Sequence, residues 1–250
     1  MNALRKLTWI EFKLFVRDPL SMVFTLLLPF FFLIVLNGVF GNEPELDPEE
    51  DVWFGVGPAD YYVPAYIGLV MAAIGVLSLP VRLATYRELG VLRRFRASSM
   101  PLWAVLTGQI IITLAVAVVG GVSIALASAI VYGTHFPNSF PLFALGFGLS
   151  ALSFAALGVF LGSVLPTARS AQGAGLMLFF VMFLLSGVGP PRDALSGGMR
   201  TVGDALPLTY VVQILQGAWL QSSWDVTASF VVLGILAGAS LLSFRLFRWE

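Results

Sequence analysis

Long uncharged apolar runs alternate with short polar segments along the whole chain. Each run reaches the roughly 20 helical residues that cross a bilayer, and the last one ends at Phe244, just before Arg245. The pattern predicts one all-α, polytopic transmembrane domain over residues 1–250, with six spans. We place these spans at about 20–40, 61–81, 103–132, 141–165, 170–190 and 226–246.

The charges divide by loop once the spans are drawn. The chain is 58% hydrophobic and 11% charged, with mean hydropathy +0.90, whereas soluble domains carry about 25% charged residues. Twelve of the fourteen Lys and Arg fall on one side of the membrane, and ten of the fourteen Asp and Glu fall on the other. By the positive-inside rule, both termini are predicted to be cytoplasmic. The twelve cations are Arg5, Lys6, Lys13, Arg17, Arg82, Arg87, Arg93, Arg94, Arg96, Arg169, Arg245 and Arg248.

Residues 1–18 have the pattern of a helix that lies on the membrane surface. Apolar residues at helical spacing form one stripe, while Lys6, Lys13 and Arg17 gather on another. We therefore predict an N-terminal amphipathic interfacial helix whose cations face lipid phosphates. Membrane lipids are thus one predicted partner.

Residues 190–224 challenge the count of six spans, because the part from Ala205 to Trp224 is uncharged and about as long as a span. A crossing there would leave two residues before the next run and would move Arg245 outside. Pro207 and three glutamines also make the segment less apolar than its neighbours. We predict outer re-entrant helices, which need protein or water around their polar groups.

The absence of several residue patterns narrows the function. The apolar runs contain no Asp, Glu, Lys or Arg, which disfavours an ion-coupled carrier or a voltage sensor. The only lysines are Lys6 and Lys13, so the chain has no Walker motif and no ATP site of its own. Any ATPase must then be a separate subunit, and we predict that this chain is not itself an enzyme.

The other candidates for chemistry are weak. His135 has no carboxylate near it in the sequence, so we predict a surface histidine. The acidic segment between the first two spans matches no EF-hand spacing, and we predict a solvated loop and no metal site. Nothing in the sequence points to nucleic-acid binding.

Glycine pairs predict where helices approach one another closely. Gly158-x-x-x-Gly162 and Gly234-x-x-x-Gly238 are typical of such contacts. The pair Gly120-Gly121 indicates either packing or a hinge in the third span.

Five arginines lie in the predicted cytoplasmic segment 82–101. A helical wheel from Arg87 to Arg96 separates an apolar side from an arginine-rich side, but Glu88 and Arg96 intrude on the apolar side. A helix held by another protein can satisfy both charges there. The alternative is that the arginines only fix topology and touch lipid phosphate. On the wheel, the apolar side carries Leu89, Val91, Leu92 and Phe95, and the other side carries Arg87, Gly90, Arg93 and Arg94.

Three motifs resemble the membrane subunits of type-2 ABC exporters, the bacterial drug, antibiotic and polysaccharide export permeases. The family's cytoplasmic helix reads roughly E-x-G-x-L-x-R before a proline, and Glu88, Gly90, Leu92 and Arg94 match it, although "ASSMP" at 97–101 adds one residue. The other two motifs are "RDP" at 17–19 and "LPLTYVVQILQG" at 206–217, in which Gln216 stands where a basic residue is commoner.

The resemblance implies an ATP-driven exporter in the cytoplasmic (inner) membrane of a prokaryote. The complex would hold two permeases, this one with a second copy or a sister permease, and two separate ATP-binding subunits. We expect no cofactor in this chain, and ATP and Mg²⁺ would bind the partner ATPase. The segment between the second and third spans would be the coupling helix, seated in a cleft of the ATPase.

The resemblance also implies roles for individual residues. Multidrug efflux is typical of the family, so we expect a hydrophobic or amphipathic substrate: a drug, an antibiotic, or a lipid-like or glycan-like molecule. The coupling residues would be Arg87, Glu88, Leu89, Gly90, Leu92, Arg93, Arg94, Phe95 and Arg96. The substrate pathway would be lined by Phe24, Phe31, Met71, Met177, Phe180 and Phe183, and the outer gate would contain Pro190, Pro191, Pro207 and Tyr210.

Two alternative functions stay open. One is a non-transporting membrane protein that anchors, assembles with or gives immunity through an ATPase. The other is an ion-coupled carrier, in which transport collapses with the ion gradient and continues without ATP.

Overall fold

The structure is a computed structural model in which every regular element of the described part is a helix. The side chains at 20, 21, 36, 37, 40, 95, 96 and 102–105 are not described. The described residues are Trp9, Lys13, Arg17, 19–40, Trp53, 55–97 and 102–246. The predicted interfacial helix 1–18 and the acidic loop thus lie largely outside them.

The helices follow the predicted spans closely, with short connections between them. We number them α1 to α9 in chain order. They are α1 (Pro19–Met22, Val23–Leu27 and Leu28–Phe40), α2 (Pro58–Glu88), α3 (Val91–Ala97), α4 (Leu102–Tyr132), α5 (Phe140–Val164), α6 (Ala168–Leu185), α7 (Gly197–Gly203), α8 (Pro207–Leu220) and α9 (Val226–Leu246).

Five helices are long and apolar enough to cross a membrane: α2, α4, α5, α6 and α9. In α1 the clearly apolar helix is the shorter stretch Val23–Val35. At 14 residues, α8 would reach only about 21 Å at 1.5 Å per residue, short of a typical bilayer core. The chain is therefore a multi-pass membrane protein with at least five candidate spans in its described part.

The bundle has two ends, which we name after one residue at each. The Gly90 end carries the break between α2 and α3 and the connection between α5 and α6. The His135 end carries the connection between α4 and α5, the segment from α6 to α8, and the start of α9.

Helix α2 forms the centre of the bundle. Every residue from Pro58 to Pro80 is buried, and α1, α4, α5, α6 and α8 pack around it, while α9 packs on α5. Burial on all sides explains why this stretch is uniformly apolar rather than amphipathic.

Glycines allow α5 and α6 to reach the backbone of α2. Residues Ile74–Ser78 of α2 form a π-helical turn, and a Cβ on Gly158 would lie 2.5 Å from the carbonyl oxygen of Gly75. A Cβ on Gly175 would overlap the carbonyl oxygen of Val76. The close approach predicted for Gly158 and Gly162 is confirmed, since a Cβ on Gly162 would meet Leu83 at 2.9 Å.

The other glycine pairs behave differently. Gly234 and Gly238 have nothing within 4 Å of an added Cβ, so the predicted helix contact there is not made within the part of the chain that the structure describes. Helix α4 runs without a break through Gly120 and Gly121. A Cβ on Gly120 would lie 2.8 Å from Val70, so this pair serves packing in the structure.

Two helices end away from the predicted span boundaries. The second span was placed at 61–81, whereas the helix α2 continues to Glu88, into the segment predicted to be cytoplasmic. The fifth span was placed at 170–190, but α6 ends at Leu185 because Gly187 has a positive φ of 81° that turns the chain.

Candidate functional site

The predicted coupling segment contains a sharp break at Gly90. Helix α2 ends at Glu88, and α3 begins at Val91. Gly90 between them has φ +66°, a left-handed conformation that costs most other residues about 1–2 kcal/mol. The prediction of one helix from Arg87 to Arg96 is therefore wrong, and its helical wheel does not apply across Gly90.

Substituting Gly90 tests this break. We expect Gly90→Ala to lower the free energy of unfolding by about 1–2 kcal/mol, because an added Cβ strains the left-handed backbone although nothing lies within 4 Å of it. Gly148→Ala is the matched control, since that helical glycine also has nothing within 4 Å. Denaturation of the purified chain in detergent measures both; equal midpoints would contradict the left-handed turn.

The side chain of Arg87 caps the C-terminal end of α5. Its guanidinium donates to the carbonyl oxygen of Gly162 at 3.2 Å and to that of Leu165. The last carbonyls of a helix have no partner within the helix, and an arginine side chain satisfies them well. Arg87 thus fixes the end of α5 to the end of α2.

The side chain of Glu88 caps the N-terminal end of α6. Its carboxylate accepts a hydrogen bond from the backbone N–H of Ala168 at 3.0 Å. Thr167 and Ser170 complete a capping box at this helix start, where a negative charge is favourable. We call Arg87 and Glu88 together the α2 clamp, because they hold the α5–α6 connection from both sides.

The residues after the clamp differ in exposure. Leu89 is 66% exposed, whereas Leu92 is 1% exposed and anchors α3 to the bundle. Arg93 and Arg94 are exposed. The side chains of Phe95 and Arg96 lie outside the described part of the structure. A large apolar side chain and two arginines are thus available to a partner at the Gly90 end.

The predicted pathway residues divide into three groups. Phe24 of α1 contacts Phe180 of α6, with ring centroids 6.4 Å apart, and Phe183 stacks on Phe32 at 4.2 Å. Phe31 and Met177 are 56% and 73% exposed on the outside of the chain.

Met71, by contrast, is 1% exposed in the core of the central helix. The structure therefore brings together the aromatic residues of α1 and α6 but not Met71. Sequence reasoning missed Phe32 and Phe179, which complete the α1–α6 contact.

The predicted outer-gate residues lie in a compact segment at the His135 end. Pro190 and Pro191 precede a short 3₁₀ turn, and Pro207 stands in the first turn of α8. The hydroxyl of Tyr210 donates to the carbonyl oxygen of Asp204 at 2.7 Å, and the hydroxyl of Tyr62 on α2 donates to that of Gly189 at 2.6 Å.

The two arginines of this segment are paired with acids. Arg192 donates to Asp204, and Arg200 lies 3.4 Å from Asp193. Each of these two arginines thus has an acidic partner within the same segment.

A second polar cluster at this end was missed. The carboxylate of Asp60, 5% exposed, accepts a hydrogen bond from the backbone N–H of His135 at 2.7 Å and lies 3.3 Å from its Nδ1. Trp219 of α8 donates from its indole nitrogen to the carbonyl oxygen of His135 at 3.1 Å. The expectation that His135 lacks a carboxylate neighbour is wrong, because the partner is 75 residues away in sequence. The histidine side chain is nevertheless 83% exposed.

Comparison with known proteins decides the family. A model of the ABC-2 type transporter family matches residues 2–220. The chain belongs to this family. The resemblance based on the three motifs is thereby confirmed at the level of family, and the chain is an ABC-2 membrane component.

Several curated permeases are similar to this ABC-2 chain. The inner membrane transport permease YhhJ of Escherichia coli is 29% identical over 201 residues, covering 73% of this chain and 52% of YhhJ; the Shigella flexneri YhhJ gives the same values. The putative transport permease YvfS of Bacillus subtilis is 24% identical over 220 residues, covering 88% of this chain and 85% of YvfS. The chain thus spans about half the length of YhhJ.

Gln216 has a definite contact in this ABC-2 chain. It is 6% exposed, and its side-chain nitrogen donates to the carbonyl oxygen of Tyr61 on α2 at 3.2 Å. A neutral amide makes this hydrogen bond without burying a charge, which would be costly in this buried position. The departure from a basic residue therefore fits the buried position of α8.

Proposed function

We propose that this chain is the membrane-spanning permease of an ATP-driven exporter and that the Gly90 end takes up the movement of a separate ATPase. Its substrate would be a hydrophobic or amphipathic molecule. Two ATP-binding subunits, with their ATP and Mg²⁺, and a second permease would complete the complex. In this proposal α1 also crosses the membrane, which raises the number of spans from five to six. The protein lies in the inner membrane of a prokaryotic cell, and its Gly90 end faces the cytoplasm.

The observation that carries the proposal is the α2 clamp. A partner that grips Leu89, Arg93 and Arg94 pulls on a break directly connected to Arg87 and Glu88. The clamp binds backbone groups of α5 and α6, so force at the break reaches two spans besides α2. Helices are stiff over their length, and the movement would travel along them.

Beyond the α2 clamp, the movement of α6 would reach the aromatic contact between α1 and α6, which we call the α1–α6 seam. The seam is apolar: the ring of Phe24 meets that of Phe180 edge-on, and the ring of Phe32 stacks on that of Phe183. Tilting α6 against α1 would open and close this seam. An apolar seam suits a hydrophobic substrate better than an ion, which needs polar or charged ligands.

A charge-reversal experiment tests the coupling. We expect the double substitution Arg93→Glu, Arg94→Glu to lower transport per ATP hydrolysed by about tenfold or more, since allosteric coupling commonly amounts to about 1–3 kcal/mol. Arg245→Glu is the matched control, because that arginine is exposed at the same end on α9. The measurement is transport and ATP hydrolysis in the reconstituted complex.

The same experiment separates a transporting permease from a non-transporting membrane anchor. Substrate-stimulated ATP hydrolysis supports a permease. Hydrolysis that no hydrophobic substrate stimulates, with no transport by the unmodified complex, supports a membrane anchor. Equal transport per ATP by the double variant and the control would contradict a coupling role for the two arginines.

A further inference from the structure

An apolar groove of about 320 Å³ lies between α4 and α5 at the His135 end. One wall carries Val118, Val122 and Leu126, and the other carries Phe140 and Ala144. The ring of Trp219 from α8 lies at the bottom, with its centroid 4.9 Å from that of Phe143.

The groove contains no free polar side-chain group. Its lining residues are apolar apart from the indole N–H of Trp219, and that N–H already donates to the carbonyl oxygen of His135 at 3.1 Å. A sugar, a peptide backbone or an ion would lose its hydrogen bonds to water here and gain none. The occupant must be hydrocarbon.

The shape of the groove favours a single chain. Val118, Val122 and Leu126 follow one another at four-residue intervals, so they form a ladder about 12 Å long along the axis of α4. This direction is also that of lipid chains beside a membrane span.

The surroundings indicate the source of the chain. Val118 and Val122 are 48% and 52% exposed on a candidate membrane span, so the groove opens to bilayer hydrocarbon rather than to water. Phe136 and Pro137 of the α4–α5 connection border the groove, and two polar residues, His135 and Asn138, flank them in the sequence. We propose that the groove binds one acyl chain of a phospholipid from the leaflet on the His135 side.

A bound chain would stabilise α8 as well. It contacts the ring of Trp219, and the backbone carbonyl of Trp219 accepts a hydrogen bond from the N–H of Asn138 at 2.9 Å. Lipid on one side and the α4–α5 connection on the other would thus hold the end of this short helix. None of the residues that line the groove belongs to α1 or α6, so the site does not depend on the proposed transport pathway.

Fluorescence quenching measures occupancy. The full chain is reconstituted in bilayers that contain about one brominated-chain phospholipid in ten, and the signal of Trp219 is obtained by subtracting that of Trp219→Phe. Lipid tails are as apolar as the groove, so burial from water does not favour binding. An acyl chain would prefer the groove to the surrounding bilayer because it packs on rigid rings there. We expect quenching about threefold above that given by random contact with the brominated fraction.

Filling the groove is the decisive comparison. Ala144→Phe, or Val122→Phe from the other wall if the first variant does not fold, should return the quenching to the random value. Leu145→Phe is the matched control, because Leu145 is 65% exposed on α5 outside the groove, and it should keep the excess. Random quenching in the unmodified chain, or unchanged excess in the filled variants, would overturn the proposal.

Discussion

Gly175→Ala is expected to lower the free energy of unfolding by about 2–3 kcal/mol. The added Cβ would overlap the carbonyl oxygen of Val76 in the π-helical turn of α2. Backbone cannot move aside as the end of a side chain can, so α6 and α2 must separate. Overpacking of this kind costs about 1–3 kcal/mol, and lost contacts along α2 add to it.

Gly173→Ala is the matched control for this substitution. Gly173 lies two residues earlier on the same helix and has nothing within 4 Å of an added Cβ. Alanine there should be neutral or stabilise the chain by up to about 1 kcal/mol through its higher helix propensity. Unfolding of the two variants in detergent is compared directly. Equal stability would mean that α6 does not approach α2 as closely as the structure shows.

Loss of the α2 clamp is the second large effect. We expect Arg87→Ala to leave ATP hydrolysis by the complex intact and to lower transport per ATP by about tenfold, the factor that corresponds to about 1.4 kcal/mol of coupling free energy. The substitution leaves the carbonyl oxygens of Gly162 and Leu165 without their arginine donor. The α5–α6 connection would then no longer follow the break at Gly90.

Substitutions of Glu88 separate capping from charge. Glu88→Gln keeps an oxygen that can accept from the N–H of Ala168, whereas Glu88→Ala does not. Transport per ATP should therefore fall strongly in Glu88→Ala and only slightly in Glu88→Gln. If both variants lost coupling equally, Glu88 would act through its charge on a partner, and the clamp would not transmit the movement.

Much of the helical architecture follows from the distribution of apolar residues. Runs such as 141–165 become single helices within a residue or two, because only a helix satisfies every backbone group in a bilayer. The short helix α8 was also expected, since Pro207 and the glutamines marked its segment. Helix ends were predicted less well where one glycine conformation decides them, as at Gly90 and Gly187.

The contacts of the candidate site could not be predicted in the same way. Arg87 and Glu88 were singled out as coupling residues, a role that stays a prediction, but the groups they bind in the structure are backbone atoms of Gly162, Leu165 and Ala168. Backbone atoms leave no residue-type signal in one sequence. The pairing of Asp60 with His135 likewise depends on how α2 and α4 align, which periodicity does not determine.

Site-specific crosslinking tests the central claim, that at the Gly90 end an ATPase docks on the break between α2 and α3, beside Leu89, and not on the end of α9. The chain contains no cysteine, so Leu89→Cys places one reactive thiol on a side chain that is 66% exposed at this end. Leu246→Cys, at the end of α9 and 42% exposed, is the control. In the co-purified complex, a short thiol-reactive photocrosslinker should join position 89, and not position 246, to the ATP-binding subunit. An ATPase that crosslinks at neither position, or at both equally, would contradict the account.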